Sequence, residues 1–342
     1  MKNRSQNGPA HPIDFVIAWV DGGDAAWLKE KQDYAARQNS AYSKKWTSGD
    51  NRYRDWGLLR YWFRGVETFA PWCSRIWFVT WGHYPAWLNT AHPKLRIVRH
   101  DEFIPAKYLP TFSSHTIELN LHRIKDLSEH FVYFNDDMFL TAPVKPTDFF
   151  VGGKPCDSAV LLPIRLEQNG IRAEINDMYV INAHFDKRKT MHRHFADWYS
   201  PVYGKLLLRT LLLTPFSLFP GFYVSHLPCA YRKQTFFDVW QAEEACLDTT
   251  CSHRFREVTD VNQWLMEYWQ FCTGFHPRTP DIGRYYEGQA SFDEMCRAVR
   301  AQRYRMVCCN DSPDIIDFPA AASALHQAFD SILPHKSTFE RN

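Results

Sequence analysis

Phe131-Val132-Tyr133-Phe134-Asn135-Asp136-Asp137 decides how this chain is read. A short aromatic and β-branched run ending in adjacent carboxylates has the make-up of a sheet strand that delivers acids to a crevice. Carboxylates placed this way suit a divalent cation and the phosphates attached to it. A second acidic turn, Asp21-Gly22-Gly23-Asp24, follows another strand-like run, Ile13 to Val20. Asp and Gly are common in turns for backbone reasons, so one such ending says little. Two of them, each fed by an apolar run, favour an enzyme acting on a phosphate ester or nucleotide over a passive module.

Working outward, Ala25 to Gln38 reads as a helix with Asp24 available as its cap. Arg52 to Phe69 is the clearest long helix, because Trp56, Leu59, Phe63 and Val66 recur on one face before Pro71 stops it. Arg75 to Trp81 and Leu95 to Val98 read as strands, and His115 to Leu127 as a helix leading into the Phe131 strand. That order suits a largely parallel α/β sheet with ligands at the carboxyl ends of its strands. Neither a P-loop nor a Gly-x-Gly-x-x-Gly fingerprint occurs, which weighs against a kinase, an ATPase and a simple hydride-transfer enzyme. The expected organisation is a flexible N-terminus (1–12), the N-terminal part of an α/β catalytic core (13–155) and an insertion or capping region with acceptor-side elements (156–257). A helical return to the core with a late strand, Arg303 to Cys309, follows (258–320), then a C-terminal tail (321–342). Val258 to Tyr268 is expected to be helical.

Composition narrows the class. The 342 residues suit one large α/β domain with an insertion. Aromatics reach 16%, and such side chains both fill cores and stack on sugars. The net charge is +2 with no long basic run, so no nucleic-acid partner is expected. Nine Cys without a repeated Cys-x-x-Cys spacing argue against a zinc site or disulfide scaffold and fit a reducing cytoplasm. Met1 to His11 lacks the apolar core of a signal peptide, so the Asn3-Arg4-Ser5 sequon carries no meaning. Arg209, Pro215 and Pro220 interrupt the apolar stretch Leu206 to Val224, which argues against a spanning helix. A buried helix and loop, or a wall of an acceptor groove, is preferred there over a helix lying on a membrane surface.

These segments together resemble the Stealth family, which includes bacterial capsular polysaccharide hexose-1-phosphate transferases and the catalytic subunit of the lysosomal-enzyme GlcNAc-1-phosphotransferase. The first block is matched by Ile13 through Asp24 and Trp27. The second runs from Arg54 through Tyr61, Arg64, Val66, Glu67 and Pro71-Trp72, then Pro85 to Asn89, Tyr108 to Phe112, and His115 to Asn135-Asp136-Asp137-Met138-Phe139. The third resembles Gly221-Phe222-Tyr223, His226-Leu227-Pro228 and Arg254-Phe255-Arg256, and the fourth Cys308-Cys309-Asn310-Asp311. Trp62 and Ser113 depart from residues common in the family, a serine and an asparagine, and leave the substrate open.

The resemblance implies a GT-A-like α/β fold, with a mostly parallel central sheet flanked by helices and a helical or irregular insertion. It implies transfer of hexose-1-phosphate, with N-acetylhexosamine-1-phosphate the expected unit, from a UDP-sugar donor to a hydroxyl of a glycan or oligosaccharide acceptor. UMP leaves and a phosphodiester forms in capsule or surface polysaccharide synthesis. Cytoplasmic placement with peripheral association to membrane-bound capsule machinery is expected. Asp136 and Asp137 are the first candidates for binding Mg²⁺ or Mn²⁺, with Asp137 also counted as catalytic. Asp311 is a third candidate ligand, against a surface turn or helix cap. Asp21, Gly22, Asp24, Arg54 and Asn135 are assigned to the bound nucleotide sugar, with helix capping the competing role for Asp24. His226 is the general-base candidate, with His115 second. Arg256 is the candidate diphosphate clamp, with Arg54 and Arg64 as alternatives. The competing classes are a metal-dependent GT-A-like glycosyltransferase that releases UDP, and a carbohydrate-binding module without turnover.

Overall fold

The computed structural model of the protein describes residues 11–38, 54–164 and 171–341. The lead-in before His11, with its sequon, and the expected helix start at Arg52 lie outside the described residues. In chain order come β1 (Ile13–Ala18), α1 (Ala25–Ala35), α2 (Leu59–Phe69), β2 (Ile76–Thr80), β3 (Leu95–Arg99), α3 (Ser114–Leu119) and β4 (His130–Phe134). They are followed by β5 (Met138–Leu140), α4 (Leu207–Leu213), β6 (Cys229–Arg232), α5 (Trp264–Thr273), β7 (Gly283–Glu287), α6 (Gln289–Arg300), β8 (Met306–Asn310) and α7 (Phe318–Asp330). Shorter elements connect these.

The central sheet has the order β3-β2-β1-β4-β6. The first four strands are parallel and β6 runs antiparallel at the edge. Alternate residues of β1 and β4 serve two cores. Phe15, Ile17, Val132 and Phe134 pack with Trp62 and Phe63 of α2 on one face. Val16, Phe131 and Tyr133 pack with Trp198 and Tyr268 on the other. Burial on both faces explains why these strands read as nearly unbroken apolar runs. Asp14 is the polar exception on β1, and its carboxylate accepts the Trp77 indole N–H at 2.9 Å and the Ser128 amide at 3.0 Å. The GT-A-like expectation, a mostly parallel sheet flanked by helices, is met.

From β1 the chain builds β2 and β3 on one side, then returns to place β4 on the other. Strand order reverses between β1 and β4, so a crevice opens outside their carboxyl ends. Ile17 lies beside Phe134 in register. Both acidic turns are therefore delivered to this one crevice.

Three helices begin or end away from the expected residues for visible reasons. α2 begins at Leu59, because the Asp55 carboxylate takes the Gly57 N–H at 2.7 Å and Gly57 sits at φ +67°. Trp56 thus packs on Phe292 and Phe318 from an irregular lead-in. α3 ends at Leu119, since the Asn120 side chain binds the Thr116 carbonyl at 2.8 Å and breaks the run. α5 starts at Trp264, whose N–H is taken by the Asn262 side chain at 2.9 Å.

A difference in strand pairing matters for the site. The late strand was expected to rejoin the central sheet. β8 instead forms a separate sheet of order β7-β8-β5, parallel to β7 and antiparallel to β5. After the Asn135-Asp136-Asp137 turn the chain leaves the central sheet, and β5 offers β8 a free edge. The Cys309 N–H binds the Asp137 carbonyl at 2.8 Å, which draws the fourth sequence block against the acidic turn.

The segment expected as a tail, 321–342, closes onto the core. Leu325 and Phe329 are buried on α7. Arg64 of α2 donates two hydrogen bonds to Glu340, at 2.8 and 3.0 Å, and one to the Leu333 carbonyl at 3.1 Å. Arg64 is thereby committed to structure rather than phosphate. The stretch around α4 is also not buried as expected, since Leu208, Leu211 and Leu212 are exposed. Among the described residues no helix is long and apolar enough to cross a membrane.

Candidate active site

The turn after β4 is tight, with the Asn135 carbonyl accepting the Met138 N–H at 3.2 Å. It leaves Asp136 open to the crevice and turns Asp137 toward β8. Asp137 Oδ1 is buried and has no hydrogen-bond partner among the described residues. Its carboxylate, a His226 ring nitrogen and the Cys308 thiol lie within 4.8 Å of one another. Crowding by protein, and then the neighbouring Asp137 charge, raise the Asp136 carboxyl above its usual range. Water reaching Asp136 from the crevice opposes that rise. Burial pushes the Cys308 thiol well above its usual range, which keeps it protonated.

His226 lies in the loop before β6 with φ +48°, a left-handed backbone that a residue with a Cβ adopts only where its surroundings impose it. Its ring stands edge-on to Tyr285 of β7, at 5.1 Å between centroids, and to Trp264 of α5, at 6.0 Å. Tyr133, Met138 and Leu227 complete the recess around it. The imidazole is thus fixed by aromatic edges and held beside Asp137.

These residues fit a hard divalent cation. A buried carboxylate oxygen without a donor is costly unless a positive partner meets it, and His226 stands beside it, whereas Asp136, next in the chain, lies outside this group. Cys308, a soft ligand, is the member of the group least suited to a hard cation.

The β1 turn is organised by a residue that sequence reasoning missed. His83 Nε2 accepts the Asp21 N–H at 2.7 Å, and its Nδ1 lies 3.5 Å from Asp24 Oδ2. That pattern fixes the neutral tautomer with the proton on Nδ1, and burial lowers the imidazole pKa. Asp21 Oδ1 accepts the Gly23 N–H at 2.8 Å, so the loop curls across Gly22. Asp24 caps α1 by accepting the Trp27 N–H at 2.8 Å. The only hint of His83 in the sequence was its place just beyond the end of β2.

His115 and Arg256 form a different constellation. His115 Nδ1 is 3.2 Å from buried Asp260, which also meets His253 Nδ1 at 2.7 Å. Arg256 Nη2 donates to the Ser114 hydroxyl at 2.7 Å. Glu118, one turn on, is fully enclosed and pushed up to about 7 by burial, which the Arg256 charge partly opposes. Tyr133 links this group to the His226 recess, since its hydroxyl donates to Glu118 at 3.1 Å. Glu118 gave no sequence signal, because it falls within a stretch read only for its apolar face. Arg54 and Asp311 are brought together with each other, at 2.9 and 2.5 Å. Asp311 is not in the group that gathers Asp137, His226 and Cys308.

Two acidic turns at a strand-order reversal, one of them beside His226, place charged side chains at the carboxyl edge of an α/β sheet, where ligands of such sheets bind. Comparison supplies the family. Residues 11–38 match Stealth protein CR1, conserved region 1, and residues 52–156 match Stealth protein CR2, conserved region 2. The chain is 38% identical over 343 residues to the capsular polysaccharide phosphotransferase WcwK of Streptococcus pneumoniae, covering 100% of both. It is 41% identical to the receptor polysaccharide phosphotransferase WefC of Streptococcus gordonii, covering 96% of this chain and 98% of that one. The exopolysaccharide phosphotransferase cps2G of Lactiplantibacillus plantarum is 36% identical, with 96% of each covered. This chain belongs to the Stealth family. The crystal structure of the galactosyltransferase LgtC with donor and acceptor sugar analogs aligns over 93% of this chain and 96% of that one, with TM-score 0.40 and 13% identity.

Proposed function

We propose that the protein transfers hexose-1-phosphate, with N-acetylhexosamine-1-phosphate the expected unit, from a UDP-sugar to a glycan hydroxyl in capsule or exopolysaccharide synthesis. The observation that carries this is whole-length identity to proteins named as polysaccharide phosphotransferases. In this reading the acceptor oxygen attacks the sugar-bearing phosphorus and the P–O bond to UMP breaks. The bond between sugar and phosphate survives, so the anomeric configuration is kept.

Asp136 and Asp137 would hold Mg²⁺ or Mn²⁺, which offsets charge on the diphosphate when bound. The Asp21-Gly22 loop, braced by His83, faces the nucleotide side, and Asn135 fixes the turn that aims the carboxylates. His226 takes the proton from the acceptor hydroxyl. Arg256 uses one amino group on Ser114 and positions the donor phosphates with the remainder of its five-donor fork. His115, locked by Asp260, serves as a positioning residue. A second role for His226 has its own support: its nearness to the Asp137 carboxylate suits a metal ligand, which favours Mn²⁺ over Mg²⁺. The enzyme would work in the cytoplasm, peripherally associated with membrane-bound capsule machinery.

The test is the fate of labelled β-phosphate in the UDP-sugar. It is expected in the glycan, with UMP released. Label left in UDP, beside a new glycosidic bond, would replace this reading with the glycosyltransferase alternative.

A further inference from the structure

Helix α4 is inside out. Its one fully buried side chain is polar: the Thr210 hydroxyl accepts the Leu161 N–H at 3.1 Å. Three of its five leucines face solvent, with Leu208 61% and Leu212 67% exposed and Leu211 beside them, while Leu207 and Leu213 pack against the core. Phe216 and Leu218, in the loop that follows, are each 60% exposed. This tip is built rather than frayed. The ammonium of buried Lys187 donates to the carbonyls of Leu213, Thr214 and Phe216, at 2.6, 3.3 and 2.9 Å, and so closes the end of the helix. A soluble domain gains nothing by presenting leucines to water from a locked turn.

Charge says what covers the patch. From Lys187 to Leu218 the chain has six Lys or Arg against one Asp, although the whole protein is only +2. Arg188, Lys189, Arg193, Lys205 and Arg209 are exposed, and none forms an ion pair among the described residues. Docking against a second copy through this same surface would set like charges together, which opposes a symmetric dimer. Apolar tips carried on a stretch of chain rich in exposed, unpaired cations complement a surface with negative headgroups over hydrocarbon.

We infer that α4 and the 214–218 turn dock the protein onto an anionic lipid bilayer, with Leu208, Leu211, Leu212, Phe216 and Leu218 entering the interface and the cations meeting lipid phosphates. This deepens the peripheral association proposed above and does not depend on the transfer chemistry.

Purified full-length protein, mixed with vesicles of phosphatidylglycerol and phosphatidylcholine or of phosphatidylcholine alone, tests it by co-flotation. Binding is expected to the anionic vesicles, to weaken with added salt, and to be much lower on the neutral ones. Leu208→Ser with Leu212→Ser should lower partitioning at least about tenfold. Lys205→Gln with Arg209→Gln should cost roughly fivefold per charge removed. No binding to anionic vesicles, or undiminished binding by the leucine pair, overturns the inference. So does capture by native membranes but not by pure lipid, which would make a protein the dock. Transfer of label to a soluble acceptor by the same variants keeps the two readings distinguishable. Vesicle binding without any transfer sinks the function alone, and transfer without vesicle binding sinks the dock alone.

Discussion

Arg54 and Asp311 grip each other side by side, Nε to Oδ2 at 2.9 Å and Nη2 to Oδ1 at 2.5 Å, with the guanidinium lying over Phe318 at 4.2 Å. The pair ties the lead-in of α2 to the end of β8. It commits a candidate phosphate ligand and a candidate metal ligand to one another. Asp311→Asn should therefore lower stability by about 1–2 kcal/mol in denaturant unfolding, since the pair is partly screened. Mn²⁺ affinity measured by calorimetry should stay within about twofold of wild type. Loss of metal binding in this variant would return Asp311 to the ligand set.

Asp136→Asn and Asp137→Asn remove charge at little change in shape. Each should lower turnover at least about a hundredfold while far-ultraviolet circular dichroism is unchanged. Asp137→Asn is expected to be no less stable than wild type without metal, because its Oδ1 has no hydrogen-bond donor to lose among the described residues. Chelator should act like the substitutions, with Mg²⁺ or Mn²⁺ restoring activity. Full activity in chelator would remove the metal from the reaction.

His226→Ala separates base from ligand. As a base, its loss should slow single turnover by roughly 10²–10⁴-fold and leave metal and donor affinity near wild type. As a ligand, its loss should weaken Mn²⁺ binding by about the same factor as it slows turnover. Arg256→Ala is expected to weaken the donor complex as well as the rate. A normal single-turnover rate for His226→Ala would end both roles and move attention to His115.

Much of this was legible in the chain, and the reasons differ by element. β1 and β4 declared themselves because strands buried on both faces are apolar throughout, and an acid directly after such a run must lie at the sheet edge. The family blocks then placed Asp136, Asp137 and His226 on one list. The sequence did not reveal that β8 leaves the central sheet, because strand partnership is a long-range choice that local pattern does not encode. For the same reason Arg54, Arg64 and Asp311 stand as candidate ligands in the sequence, and only folding shows Arg54 paired with Asp311 and Arg64 with Glu340 across the chain. His83 and Glu118 act through backbone and neighbour contacts that no spacing announces. Helix α4 misled in another way: its leucines read as buried because apolar composition alone does not say which face turns inward.

Glu118 makes its environment measurable through pH. Its carboxyl is raised from 4.5 to about 7, first by burial, with Arg256, Tyr133 and Ser114 partly opposing. The unfolded chain releases this proton near 4.5, while the folded protein keeps it until about 7. Between those values the unfolded state binds fewer protons, so this group's contribution to stability falls as pH rises and levels off above the folded pKa. The full swing corresponds to about 3 kcal/mol. Glu118→Gln keeps the shape and removes the titration. Other buried carboxyls, Glu174 among them, are raised in the same direction, so the informative quantity is the difference between variant and wild type. Urea unfolding across pH 5 to 8 should show the variant gaining on wild type by up to roughly 3 kcal/mol, with the gain developing below pH 7 and flat above it. Parallel stability curves for the two proteins would mean that Glu118 is already ionised in the fold and paired with Arg256. Arg256 would then be a structural partner of Glu118 rather than a clamp for phosphate.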